Sequence, residues 1–188
     1  RKNRATLERE IGHPIQFMNQ VHGDQIAEIR QLLDVEPTAD GLITSTTEIA
    51  LAVMVADCIP LLLGNKSSVA AVHVGRRGLV NNIALVAFSK MRAIDSSPIT
   101  AVIGPTICGN CYEVSEEIYT EVVDQFPLAQ ARTHSGTLAL DLTKALKSLL
   151  INQGVKVIDE SLCTVEESSL YSYRRDGVTG RQAGVVWL

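Results

Sequence analysis

The run Ala50-Leu51-Ala52-Val53-Met54-Val55-Ala56 contains no polar residue and consists of β-compatible types. A strand with no polar face must be covered on both sides, which excludes a half-solvated single sheet and demands a layered fold. The run ends at Asp57-Cys58, so chemically competent side chains follow a doubly buried strand directly. Two more apolar runs, Leu61 to Leu63 and Val69 to Val74, flank the turn-forming cluster Gly64-Asn65-Lys66-Ser67-Ser68 and predict a β-hairpin. With the turn centred near Lys66, the pairing sum is about 131 to 132, which sets Cys58 opposite or next to opposite His73 at roughly 5 Å.

The rest of the chain alternates in type. Ala5 to Ile11 predicts a helix stopped by Gly12, and Ile15 to Val21 a strand leading into His22-Gly23-Asp24. After Gly75-Arg76-Arg77-Gly78, the residues Leu79, Ile83, Val86, Ala87 and Ile94 recur at helical spacing. Ile99 to Ile103 predicts a strand closed by Gly104-Pro105. Ser115 then caps a helix with Glu116 and Glu117 in its first turn, where they complement the helix dipole. Asp141 caps another helix, stopped by Gly154, and strands follow near Val155 to Ile158 and Gly184 to Leu188. The expectation is one α/β domain over residues 1–188, an α/β/α sandwich with a mixed sheet.

Composition narrows the partners. Seventeen basic and 21 acidic residues give a net charge of −4, and there are only one Trp, four Tyr and three Phe. Neither a field for a phosphate backbone nor a base-stacking platform is available, so nucleic acid is excluded as an expected partner. The longest apolar stretch, Ile49 to Leu63, is broken by Asp57 and Pro60 and is too short for a bilayer. Four cysteines in 188 residues fit a reducing compartment, and the expected location is the cytoplasm.

His22, Cys58 and His73 fall at predicted strand ends. Three such ligands with one open position are how a catalytic zinc site is built, whereas a buried cysteine and a hydrogen-bonded core histidine are the plainer alternative. The loop carrying Arg76 and Arg77 opens a helix, which suits phosphate or carboxylate, and Arg174 and Arg181 belong to a second basic cluster near the C-terminus. Cys108-Gly109-Asn110-Cys111 has no second C-x-x-C to complete a four-thiolate site, and Cys108 and Cys111 are read as structural or incidental, with no role assigned to Cys163.

Six ordered segments carry a resemblance. They are Gln20-Val21-His22-Gly23, Ala39 to Thr44, Ala56-Asp57-Cys58-Ile59-Pro60, and His73 to Gly78. Gly104-Pro105 follows with Cys111 to Val114, and then Ser172 to Asp176 with Thr179-Gly180-Arg181. Over nearly its whole length the chain resembles the YfiH family, the laccase-domain or "polyphenol oxidase" group described as zinc-dependent purine nucleoside phosphorylases. The resemblance implies an α/β/α sandwich related to toxin deamidases with a Cys–His site. It also implies zinc ligands at His22, Cys58 and His73, phosphorolysis of adenosine, inosine, guanosine and methylthioadenosine, and deamination of adenosine. Copper is the lesser expectation, because a multicopper site needs more than the four histidines present.

In that scheme Asp57, beside a ligand, is the expected proton shuttle or orienting carboxylate, and Glu113 is the weaker candidate. Arg77 and the helix start after it are expected to hold phosphate, with Arg76, Arg174 and Arg181 lining the substrate site. Arg76 stands where relatives carry Trp, and relatives begin with an earlier segment that this chain lacks. Two rival readings remain: a metal-free hydrolase or amidase using Cys58 as nucleophile and His73 as base, and a peptidoglycan-editing accessory protein.

Overall fold

The computed structural model describes residues 2–188. In chain order the elements are α1 (Lys2–Ile11), β1 (Ile15–Gln16), β2 (Ile26–Glu28), β3 (Gly41–Thr44), β4 (Ala50–Val55), β5 (Ile59–Gly64) and β6 (Val69–Val74). Next come α2 (Arg76–Val80), α3 (Ile83–Ile94), β7 (Thr100–Ile103), α4 (Glu116–Gln125), β8 (Gln130–Arg132) and β9 (Leu138–Leu140). The chain ends with α5 (Leu142–Asn152), β10 (Lys156–Asp159), α6 (Tyr173–Asp176) and β11 (Gln182–Val186).

The apolar β4 is the centre of a three-stranded sheet, between β1, which is parallel to it, and β11, which is antiparallel. Its alternation explains why no polar residue is tolerated. Ala50 and Ala52 pack with Leu7, Ile11 and Met54 under α1, whereas Leu51, Val53 and Val55 enter a core shared with Leu42, Val69 and Ala71. Those last residues belong to a second sheet of six strands in the order β10-β7-β5-β6-β3-β2, mixed in direction. Its opposite face, with Ile43, Ile59, Leu61, Leu63, Val72 and Val74, packs against Leu79, Ile83, Ala87 and Met91 of α2 and α3 and Leu146 and Leu150 of α5. The expected mixed α/β sandwich is therefore present with its β layer doubled, helices lying outside two face-to-face sheets.

Local signals translate into the expected elements. Ser115 Oγ accepts from Ile118 N at the start of α4, and Asp141 Oδ1 from Lys144 N at the start of α5. The β5–β6 hairpin forms, but its turn is centred between Lys66 and Ser67: Asn65 N donates to Ser68 O, and Asn65 Oδ1 accepts from Ser67 N and Ser68 N. His73 is accordingly opposite Pro60, not Cys58. Cys58 leaves the strand two residues earlier, on the side His73 faces.

Two other expectations change. The strand expected over Ile15 to Val21 is only Ile15–Gln16; beyond it the Gln20 side chain donates to Met54 O and accepts from Met54 N, taking the place of a strand ladder. The helix expected after Gly78 is split into α2 and α3, because Asn82 adopts φ 58°, a left-handed conformation that Asn tolerates.

Candidate active site

Three separate segments deliver the candidate ligands. Gln20 ties the 20–23 loop to β4 through its two hydrogen bonds with Met54, and His22 follows at φ 59°. Cys58 comes from the crossing between the two sheets, just after Asp57 at φ 92°. His73 comes from β6, the central partner of the hairpin. One nitrogen from each histidine and the Cys58 sulfur all lie within 4.8 Å of one another. The two imidazoles meet edge to face, with centroids 4.7 Å apart. Gly75 is needed beside them, since a Cβ there would stand 3.1 Å from Cys58 Sγ and 3.4 Å from His22 Cδ2.

Asp40, a residue the sequence reading did not single out, organises this cluster. It is 0% exposed, yet its carboxylate accepts hydrogen bonds from Val21 N at 3.2 Å, His22 N at 2.9 Å and Gly23 N at 2.6 Å. It also accepts from His73 Nδ1 at 2.8 Å, which turns Nε2 toward the cluster. One carboxylate thus sets the backbone of one ligand and the ring of another. The usable signal was Asp40-Gly41 at a strand start, an acidic residue entering an apolar strand, where an unpaired charge would be costly.

Electrostatics follow from this packing. Burial opposes ionisation of Asp40, but His73 and the N–H groups of Gly23, Val21 and His22 prevail and hold its carboxyl below the ordinary range. Burial also opposes the Cys58 thiolate, and contacts with His22 and then His73 bring the thiol down to about 7. Burial disfavours a charged His73, while Asp40 and then Cys58 raise it to about 9.

The cluster opens into a cavity of about 610 Å³, within the roughly 300–1,000 Å³ usual for small-molecule sites. Tyr112, Tyr173, Arg174 and Arg181 line it with Asp57, Ile107 and Met54. Arg174 lies over the Tyr112 ring at 5.2 Å and donates to Glu113 O at 2.9 Å. Arg181 donates to Thr179 O and Gly180 O.

The expected residues divide sharply in position. Arg174 and Arg181 reach the cavity. Arg77 does not: it is exposed on α2, outside the lining. Arg76 is outside the lining, where Glu121 Oε2 accepts from it at 2.5 Å, and it stands beside the hydroxyl of Tyr112 on the cavity wall. Glu113 contributes its carbonyl to Arg174 and is itself exposed outside the lining. The Asp57 carboxylate borders the cavity but is already occupied, accepting from Thr164 Oγ1 at 2.6 Å, Ser172 Oγ at 2.7 Å and Arg174 N at 2.7 Å. Its carbonyl accepts from Ile107 N and Thr106 Oγ1.

One thiolate sulfur and two imidazole nitrogens converging beside a cavity fit a zinc ion with an open position, and the Asp40–His73 bond is the orienting contact such ligands carry. The two remaining histidines lie elsewhere, His13 against Trp187 and His134 against Glu166. The cluster therefore offers two imidazoles to any metal.

The whole chain, residues 1–188, matches the family model described as multi-copper polyphenol oxidoreductase laccase. Among similar proteins is the purine nucleoside phosphorylase of Corynebacterium glutamicum, 40% identical over 198 residues, covering 99% of this chain and 80% of that protein. Another from Streptomyces griseus is 41% identical with the same coverage. Of solved structures, a Neisseria meningitidis protein superposes with a TM-score of 0.89 at 32% identity, over 99% of this chain and 79% of its own. YfiH of Bacillus licheniformis also reaches 0.89, at 28% identity, over 100% and 80%. The chain belongs to the multi-copper polyphenol oxidoreductase laccase family.

Proposed function

We propose that this chain is a zinc-dependent purine nucleoside phosphorylase that also deaminates adenosine. The observation that carries the reading is the convergence of His22, Cys58 and His73 beside a nucleoside-sized cavity whose other walls bring arginines and tyrosines. The similar proteins named purine nucleoside phosphorylase support it. His22, Cys58 and His73 would hold the ion. The chemistry bound zinc supplies is Lewis acidity, which polarises oxygen and lowers the pKa of water.

The chain's own groups do the rest. Asp40 keeps the His73 proton on Nδ1, leaving Nε2 free as a ligand. Tyr112 and Tyr173 offer aromatic faces for the purine, and the Arg174 and Arg181 guanidiniums offer charge and directed N–H donors for phosphate. Holding phosphate close to the ribose supplies proximity and stabilises the charge that develops as the glycosidic bond breaks. This moves the phosphate role from Arg77 to the two arginines that reach the cavity.

The test is a panel of adenosine, inosine, guanosine and methylthioadenosine with purified protein, with and without phosphate. Free base that appears only with phosphate, and that disappears in Cys58→Ala, is the expected result. Inosine formed from adenosine in either condition reports the deaminase activity. No turnover of any nucleoside by zinc-loaded protein would overturn the reading.

One observation favours a second reading. Cys58, lowered to about 7, lies against His73, which is bonded to Asp40, and this is the order of groups in an activated cysteine hydrolase. That enzyme would work after complete zinc removal and would lose activity on alkylation of Cys58.

A further inference from the structure

The three cysteines that the cavity does not use come together elsewhere. Cys108 and Cys111 lie in the loop after β7, and Cys163 and Glu166 in the loop after β10. Their three sulfurs and one carboxylate oxygen all lie within 4.8 Å of one another. As a sequence, C-x-x-C lacked a second half. Cys163-Thr164-Val165-Glu166 supplies it at the same spacing, because β7 and β10 run parallel and deliver both following loops to one edge. A bridge between Thr106 and Cys163 continues that pairing.

The cluster is built by both loops. Cys111 N and Tyr112 N each donate to Cys108 O at 3.1 Å, closing the C-x-x-C turn. Gly109 within it has no room for a side chain, as a Cβ would stand 2.9 Å from Asp141 Cβ and 3.0 Å from Ala131 Cβ. Cys163 Sγ accepts from Cys108 N at 3.5 Å, and the N–H groups of Glu166 and Val165 bond the same sulfur. Glu166 Oε1 lies 3.3 Å from Cys111 Sγ and 3.7 Å from Cys108 Sγ, and it pairs with His134 Nε2 at 3.2 Å. Three sulfurs and a carboxylate in this space form a four-ligand set that suits a closed, tetrahedral zinc site.

We propose that Cys108, Cys111, Cys163 and Glu166 bind a structural zinc ion, separate from the cavity, with His134 orienting the Glu166 carboxylate. Four protein ligands leave no position for substrate, so this ion holds structure and does no chemistry. Its position says which structure. Cys111 precedes Tyr112 on the cavity wall, and Cys163 precedes Thr164, which bonds Asp57. Ile107, next to Cys108, also bonds Asp57. The ion would staple together the two loops on which that wall rests.

The experiment is titration of the metal-free, fully reduced chain with zinc, followed by gel filtration and metal analysis by mass spectrometry. The wild type should retain about two ions per chain, Cys58→Ala about one, and Cys111→Ser and Cys163→Ser about one each. If the cysteine variants fail to fold, cobalt(II) loading of Cys58→Ala decides the matter. Intense thiolate-to-cobalt absorption in that variant supports the site, and its absence overturns it. Wild type that retains one ion, lost in Cys58→Ala, overturns the proposal, as does a disulfide among Cys108, Cys111 and Cys163 in protein purified without oxidant.

Discussion

Across 2.8 Å, His73 donates from Nδ1 to Asp40 Oδ1, with both side chains essentially removed from solvent. The same carboxylate receives the N–H groups of Val21, His22 and Gly23, so two of the three candidate ligands depend on a residue that touches no substrate.

Asp40→Asn should therefore weaken zinc binding about 10- to 100-fold, the range found when an orienting partner of a metal-bound histidine is lost. An amide can present its NH₂ to His73 and release the ring to the wrong tautomer. Asp40→Ala should be worse, destabilising the protein by about 3–5 kcal/mol because buried donors are left unpaired. Chelator competition measures the first effect and thermal or denaturant unfolding the second. Unchanged zinc affinity in Asp40→Asn would refute the orienting role.

Zinc uptake should depend on pH with a definite sign. The ion needs a neutral His73 and an ionised Cys58, whereas the metal-free site holds His73 protonated up to about 9 and Cys58 protonated below about 7. Apparent affinity should rise roughly tenfold per pH unit between pH 7 and 9, more steeply below pH 7, and level off above 9. Calorimetry in buffers of different ionisation enthalpy counts the protons released. Affinity flat from pH 6 to 9 would contradict these assignments.

Arg181→Ala and Arg77→Ala should separate cleanly. Arg181 lines the cavity and Arg77 does not. Losing charge-assisted hydrogen bonds worth about 1.5–3 kcal/mol should raise KM for phosphate by roughly tenfold to a hundredfold in Arg181→Ala. Arg77→Ala should leave it unchanged. Steady-state kinetics with phosphate varied at saturating nucleoside measures both, and the reverse pattern would return the phosphate site to α2.

Asp57→Asn should act mainly on stability. The carboxylate accepts from Thr164, Ser172 and Arg174, which lie 107 to 117 residues away in sequence, and an amide cannot accept from all three with both of its ends. A loss of about 1–3 kcal/mol is expected by denaturant titration, with the pH profile of kcat keeping its shape. A variant of normal stability whose pH profile has lost a limb would identify Asp57 as a proton carrier instead.

What the sequence determined by itself are features whose cause lies within a few residues along the chain. Ser115 and Asp141 cap helices with their own side chains, Asn65 closes the hairpin turn, and the unbroken apolar run of β4 demands cover on both faces. The candidate ligands His22, Cys58 and His73 were named through motif resemblance, while the hairpin reading set Cys58 at or next to the position opposite His73 that Pro60 occupies. Only the tertiary structure decided which distant groups share a space. Antiparallel pairing of β3 with β6 sets Asp40 beside His73, parallel pairing of β7 and β10 brings Cys163 and Glu166 to the C-x-x-C, and the packing of the whole fold admits Arg174 and Arg181 to the cavity while leaving Arg77 outside. Caps and turns are set by local hydrogen bonds. Contacts across tens of residues are set by which apolar faces bury one another, and that choice is made by the whole core at once.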